Sequence, residues 1–101
     1  QLHQFKEYQM SIGTPIDRSG TVTSGGVAQV LMAARERRGY AFQNLSVSDL
    51  YISEVGTAAA TGSSMKIPSG ALYESPPGAA PDGAISVYGA TTSQAFAARE
   101  W

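Results

Sequence analysis

The sequence predicts an all-β fold: a small β-sandwich or jelly-roll-like domain of about eight short strands, preceded by an N-terminal arm. Two observations predict the strands. Apolar residues alternate with polar or small residues over short runs, which is typical of strands with one buried face. Turn-forming residues separate these runs, and the chain contains 11 Gly and 5 Pro. Its length of 101 residues fits one domain.

We divide the chain into an arm, residues 1–19, and a sandwich domain, residues 20–101. In the arm, Leu2, Phe5 and Tyr8 recur at three-residue spacing, so one side of a helical turn would carry all three. Chain ends are usually loosely held unless something ties them down. Three large apolar side chains in such a segment therefore predict that the arm packs against a partner chain.

Residues 24–38 fit two local structures. Ser24-Gly-Gly precedes apolar residues spaced three to four positions apart, and Gly39 follows a charged run. This arrangement fits a short helix with an N-cap and a terminating glycine. The same residues also alternate as a strand, which Thr21–Thr23 would join in a hairpin through the Ser24-Gly-Gly turn. The residues alone slightly favour the helix.

Two hairpins are clearer. Residues 39–55 alternate around a polar turn at Ser46–Asp49, and residues 84–89 and 95–101 form the last hairpin. Between the hairpins, two short strands flank a Pro-Ser-Gly turn, at Met65–Ile67 and Ala71–Glu74.

The proline-rich residues 75–83 cannot form a ladder, because proline lacks the amide donor, so they cross between sheets or wrap the surface. The predicted core consists of the inward-facing large residues: Val30, Tyr40, Phe42, Leu50, Ile52, Ile67, Leu72, Ile85, Val87 and Phe96.

Composition excludes several functional classes. A formal net charge of −1 argues against nucleic acid as the main partner. The absence of cysteine excludes disulfides, zinc-thiolate sites and thiol catalysis. No apolar run approaches the ~18 residues that span a bilayer, so no membrane partner is expected.

The polar residues predict no reactive site. His3 is the only histidine and lies in the arm, where no core would hold it for triad catalysis or for zinc. The carboxylates are scattered, with no pair marked for a shared cleft and no Asp-rich loop for calcium. No glycine segment carries the phosphate-loop pattern. We therefore expect a non-enzymatic protein with no catalytic residue, no cofactor and no metal.

Three stretches carry a longer pattern: R-x-G-x-x-x-Q-N-x-S-x-x-D-L-Y-I ending at residue 52, K-I-P-x-G at 66–70, and A-I-S-V-Y-G-A-T-T-x-Q-x-F-x-A-R-E-W at 84–101. With these stretches, roughly residues 20–101 resemble the small β-rich accessory virion proteins of tailed bacteriophages, of the capsid decoration (cement) or head-fibre kind. The pattern is one of strands and turns. The resemblance implies a strand in the ambiguous segment, and we predict that strand.

The resemblance also implies a function. Such a protein would be made in the host cytoplasm, would reside on the capsid surface of the virion, and would stabilise contacts between subunits of the major capsid protein or another virion protein. A tail or head-fibre position stays open. The small core and the apolar arm further predict a homo-oligomer, dimer or trimer.

The predicted interface combines the apolar arm, the basic run after the ambiguous segment, and the C-terminal residues. Its members are Leu2, Phe5, Tyr8, Arg35, Arg37, Arg38, Arg99 and Trp101. The alternative function is a glycan- or receptor-binding module of a phage tail or fibre protein. It depends on four aromatic residues that could stack on sugars, Tyr51, Tyr73, Tyr88 and Trp101, of which our register turns Tyr51 and Tyr88 away from the core.

Overall fold

The computed structural model describes residues 14–101, which form nine β-strands and no helix. The strands are β1 (Ile16–Asp17), β2 (Gly20–Thr21), β3 (Gln29–Met32), β4 (Tyr40–Asn44), β5 (Leu50–Ser53), β6 (Met65–Ile67), β7 (Leu72–Glu74), β8 (Ile85–Gly89) and β9 (Ala95–Glu100). No helix in this described part is long and apolar enough to cross a membrane. The predictions for Leu2, Phe5 and Tyr8 lie outside the described residues.

The strands form two antiparallel sheets. Sheet A has the order β1-β9-β4-β7, with β2 also paired to β9, and sheet B has the order β3-β8-β5-β6. The pairs β5·β6, β4·β7, β3·β8 and β2·β9 are nested, as in one long two-stranded ribbon. Rolling that ribbon adds the pairs β4·β9 and β5·β8. This is the strand arrangement of a jelly roll, so the all-β sandwich prediction is confirmed.

The predicted hairpins are wrong, although their strands exist. β4 and β5 lie in different sheets, and so do β8 and β9. The connecting loops, residues 45–49 and 90–94, have five residues each. Five residues easily cross the ~10 Å between two packed sheets, so these turns pass from one sheet to the other. The proline-rich residues 75–83 also cross between sheets, as predicted.

The ambiguous segment contains a strand, β3, and no helix. The predicted hairpin with Thr21–Thr23 is wrong, because β2 pairs with β9 in sheet A and β3 pairs with β8 in sheet B. The edge strand β1 falls within residues 1–19, the range predicted as the arm, and it pairs with β9 as part of sheet A.

The core fills the space between the sheets with side chains from both inner faces. Eight of the ten predicted core residues are buried, but Val30 and Leu72 are 65% and 64% exposed. An irregularity in the register after Val30 lets the two following residues, Leu31 and Met32, both be buried in its place. Leu72 lies on the edge strand β7 opposite Gln43, on the outer face of sheet A.

Candidate functional site

One end of the sandwich collects interface candidates that are far apart in the sequence. Here β4 begins and β9 ends. A concavity at this end is lined by Thr14, the first described residue, by Arg35, Arg38 and Trp101, and also by the exposed carboxylates Glu36 and Asp82. Arg99 extends the group, because its guanidinium lies 5.7 Å from the centre of the Trp101 ring. We call Arg35, Arg38, Arg99 and Trp101 the basic end.

A buried carboxylate lies beneath the basic end. Glu100 is fully buried, and its two oxygens accept hydrogen bonds from the Nε atoms of Arg37 and Arg18, each at 2.7 Å. Arg35 adds a weaker ion pair at 3.8 Å. A buried carboxylate is costly without such partners, so this cluster fixes the last residues of β9 against two other segments.

All three nitrogen atoms of the Arg37 guanidinium donate hydrogen bonds in this cluster. Besides Glu100, it donates to the backbone carbonyls of Gly83 at 3.0 Å and Ala33 at 2.8 Å, and to that of Pro81. Its side chain is completely buried. Arg37 therefore ties the loop after β3 to the end of the proline-rich crossing, and its planar fork of donors suits this role better than lysine would.

The charges around Glu100 decide its protonation. Burial alone raises the pKa of a carboxyl group, but the hydrogen bonds from Arg37 and Arg18 outweigh it, and the pKa of Glu100 is lowered from its ordinary 4.5. The carboxyl group is therefore ionised at neutral pH. A general acid would need the opposite shift.

Trp101 is half-buried and packs over a residue that must be small. A β-carbon added to Gly39 would lie 2.7 Å from the indole ring, inside contact distance. The backbone of Trp101 is also held, since its carbonyl accepts from Arg38 at 2.6 Å and its amide donates to Gly39 at 3.0 Å. The ring is thus presented at the surface by a fixed backbone.

The opposite end of the sandwich is held by a neutral network. The fully buried Asn44 donates to the carbonyls of Ser48 at 2.7 Å and Ile67 at 2.8 Å. The amide of Gln94 donates to the Ser46 hydroxyl at 3.0 Å, and its oxygen accepts from the Thr91 amide at 3.0 Å. Both side chains brace the two turns that cross between the sheets.

The polar residues that stand out in the sequence pattern therefore make hydrogen bonds inside the protein. Arg37, Asn44, Gln94 and Glu100 are all buried with their polar atoms bonded. Gly89 is similarly constrained, because an added β-carbon would lie 2.6 Å from the side-chain oxygen of Gln94. The residues of the pattern therefore hold the turns and chain ends at the two ends of the jelly roll.

A half-buried polar contact also links the sheets. The hydroxyl of Tyr40 donates to the carboxylate of Glu54, and the Tyr73 ring lies 5.7 Å from that of Tyr40. Burial, followed by the bond to Glu54, raises the pKa of Tyr40 above its ordinary value. Burial and the Glu54 charge also raise that of Tyr73. The phenols stay neutral at physiological pH, so this contact is a structural bridge.

On the outer face of sheet B, Tyr51 and Tyr88 are direct cross-strand partners with ring centres 6.1 Å apart. Both are half-buried and turned away from the core, as the register predicted. Lys66 continues the row on β6.

The structure thus distributes the predicted site residues in three ways. Arg35, Arg38, Arg99 and Trp101 come together, Arg37 lies inside the protein, and Leu2, Phe5 and Tyr8 lie outside the described residues. Sequence reasoning missed Glu100. Its signal was available: Phe96, Ala98 and Glu100 share one face of a strand, so an inward Phe96 implies an inward Glu100 that needs cationic partners.

Within residues 14–101, no group of three or more histidine, aspartate or glutamate side chains is placed to hold a metal ion. Comparisons with protein-family models, curated protein sequences and solved structures found no match. The likeness to phage accessory proteins accordingly stays a prediction that depends on the sequence pattern.

Proposed function

We propose that this chain is a non-enzymatic structural virion protein that binds the outside of a phage capsid and stabilises contacts between capsid subunits. The observation that carries the proposal is the convergence at the basic end. Two segments predicted separately as contact regions, residues 35–38 and 99–101, meet there, and the chain preceding residue 14 joins at the same place. Such a cluster is a candidate docking surface.

The arginines of this end fit carboxylates on a partner protein, and Glu36 and Asp82 in the same concavity would fit cationic groups beside those carboxylates. Arg35 and Arg99 are exposed, and guanidinium groups bind carboxylates with two parallel hydrogen bonds. Trp101 adds a large, partly apolar ring of the kind enriched at interface centres. Glu100 pairs with three arginines, Arg18, Arg35 and Arg37, and of these only Arg35 belongs to the basic end.

The internal use of the polar residues supports a non-catalytic role. The best-placed carboxylate, Glu100, is ionised and saturated by arginines. Glu54 accepts from Tyr40, which is a structural bond between sheets. A reactive carboxyl pair would instead share a cleft, with one member's pKa raised.

Mechanistically, each copy would hold two adjacent subunits of the major capsid protein or another virion protein. The basic end would contact one subunit, and the arm would contact its neighbour. Each contact can be weak, because a tethered second contact acts at high effective concentration. Self-association into a dimer or trimer would repeat the effect around a symmetry axis of the shell.

The test is binding to capsids that lack the protein. Purified protein is added to such capsids, sedimented, and the complex is imaged by cryo-electron microscopy. We expect regular density on the exterior, with the basic end facing the shell. The variants Arg35→Glu and Trp101→Ala should each weaken sedimentation at least about tenfold, or ~1.4 kcal/mol.

Lys66→Glu is the matched control, because Lys66 is an exposed cation on the outer face of sheet B. It should bind as the unmodified protein does. No density on the shell would contradict the capsid role. Equal losses for Lys66→Glu and Arg35→Glu would contradict the basic end as the docking surface.

The Tyr51–Tyr88 pair favours one second candidate, a glycan- or receptor-binding module of a tail or fibre protein. Neighbouring aromatic rings on an exposed sheet offer a stacking surface for sugars. A glycan array separates the two functions. Binding that disappears in Tyr51→Ala and Tyr88→Ala, without capsid binding, would favour the glycan module.

A further inference from the structure

A shallow groove of about 410 Å³ crosses the outer face of sheet A. Its floor is formed by two small side chains, Ala41 on β4 and Ala97 on β9. Leu72 forms one wall and is 64% exposed. Pro15 lines the opposite side, where the described chain begins. The groove is open to solvent, and its lining is mostly apolar but also includes Asp17, Ser19, Gln43 and Arg99.

The small floor residues leave room for larger side chains. Gln43 pairs with Ala97 on one side and with Leu72 on the other. Two strand spacings therefore separate Ala97 from Leu72, or about 9.6 Å. Along this row the sheet presents the methyl group of Ala97, the half-buried side chain of Gln43 and then the exposed Leu72, and an apolar partner would fill the space above Ala97.

The preceding thirteen residues begin at the rim of this groove, since Pro15 itself lines it. Three strand spacings, about 14 Å, separate the β1 edge from β7. Residues 9–13 can span up to about 17 Å when extended. The segment before them can therefore reach every part of the groove.

The apolar residues of that segment match the groove in length. Leu2, Phe5 and Tyr8 would line one side of a helical turn, and the six residue steps from first to last rise about 9 Å. This equals the distance across the strands from Ala97 to Leu72. The three side chains would cover the exposed leucine and fill the space above the alanines.

We propose that residues 1–13 pack into this groove of their own copy in the free protein. A segment attached at the rim has a millimolar effective concentration at the groove. This is well above the concentration at which the same segment of other copies is present in dilute solution. The arm then occupies the groove in the free protein. On capsid docking, the arm would leave the groove and bind a capsid subunit. The packed state belongs to the free protein and does not depend on capsid binding.

The absence of cysteine in the chain allows a clean test by disulfide trapping. Phe5→Cys is combined with Ala97→Cys in the full-length protein, which is oxidised at low micromolar concentration. Phe5→Cys with Lys66→Cys is the matched control, because Lys66 lies on the other sheet. A third pair, Phe5→Cys with Leu72→Cys, tests the groove at an exposed position whose replacement leaves the core intact.

We expect both groove pairs to form an intramolecular disulfide at least about tenfold faster than the control pair, with a monomer on non-reducing gels. A covalent dimer would show that the arm of a second copy occupies the groove, and it would overturn the same-copy proposal. Rates equal to the control in both groove pairs would show that the groove does not hold the arm. The readout uses no capsids, so its failure is distinct from failure of the proposed function.

Discussion

Replacing Glu100 with glutamine should destabilise the protein more than any other single charge-neutralising change in the described part of the chain. The substitution keeps the shape of the side chain and removes its charge. Arg37 then remains fully buried without its counter-ion, and Arg18 loses its 2.7 Å partner. The sequence offers a matched control in Glu74→Gln, an exposed carboxylate on β7 of the same sheet.

The magnitude follows from the burial of both partners. Breaking a fully buried ion pair on one side costs about 3–5 kcal/mol. A domain of this size is stable by only about 5–15 kcal/mol, so the loss is a large share of the total. At about 4–8 °C per kcal/mol, the midpoint of thermal unfolding should fall by about 12 °C or more.

The pH dependence of this stabilisation has a definite sign. The pKa of Glu100 is lower in the folded protein than its ordinary 4.5. The ion pair therefore contributes in full above that value, and its contribution disappears as pH falls through the folded pKa. Glu100→Gln should remove this part of the acid sensitivity, so the two proteins should converge in stability at low pH.

The assay is urea unfolding from pH 3 to pH 7, followed by tryptophan fluorescence. The reasoning is refuted if Glu100→Gln unfolds within about 0.5 kcal/mol of the unmodified protein at pH 7, the range expected for surface changes such as Glu74→Gln. It is also refuted if the difference between them does not shrink on acidification. The double variant Arg37→Met, Glu100→Met should lose less than the sum of the two single changes, because neither member of the Arg37–Glu100 pair is then left buried without the other.

Three further predictions concern the rest of the interior. Gly89→Ala should cost about 1–3 kcal/mol in urea unfolding through overpacking, since its β-carbon would lie 2.7 Å from Leu50, whereas Gly56→Ala faces open space and should change stability by less than about 0.5 kcal/mol. Asn44→Ala should cost about 1–3 kcal/mol by the same measurement, because it removes the buried hydrogen bond to the Ile67 carbonyl, whereas the Ser48 carbonyl keeps donors from Ser46 and Gln94. Because the pKa of Tyr40 is raised in the folded protein, its neutral phenol contributes fully to stability below the ordinary pKa of 10.0. That contribution is lost as pH rises beyond this value, so Tyr40→Phe should flatten the alkaline loss of stability followed by circular dichroism.

Alternation predicted the strands well because it reports a local property, which of two faces each residue occupies. Ile85, Val87 and Phe96 are buried as the period of two requires. Pairing is not local. A five-residue loop such as residues 45–49 can close a hairpin or cross to a second sheet, and local pattern alone does not distinguish them. The crossing depends on contacts from elsewhere, such as Gln94, whose amide donates to the carbonyl of Asp49 at 3.1 Å.

Two core predictions failed for related reasons. Val30 precedes an irregularity in register that shifts the next residues inward, and nothing in the alternation marks that position. Leu72 has the residue type of a core position but lies on the outer face of the edge strand β7. If the arm covers Leu72, its apolar character is explained by a segment far away in the sequence.

The candidate site was predictable in its members and not in its arrangement. The basic run and the C-terminal aromatic were recognised by charge and composition. Their convergence required the pairing of β4 with β9, which brings Tyr40 opposite Glu100. The sequence places Arg37 in the interface as part of a basic run that could pair with carboxylates of a neighbouring subunit, but the buried Glu100 that it pairs with lies 63 residues away in its own chain.

The polar residues of the sequence pattern that resembles phage accessory proteins lie mostly inside the protein. Arg37, Asn44, Gln94 and Glu100 are buried and bonded, so any chain with this jelly roll would benefit from them whatever it binds. Partner choice must instead depend on outward-facing side chains. The resemblance therefore supports the fold more directly than the partner. The proposed capsid role would depend on the exposed arginines and on Trp101. Experiments that exchange those residues and keep the buried polar residues can separate the contribution to the fold from the contribution to partner binding.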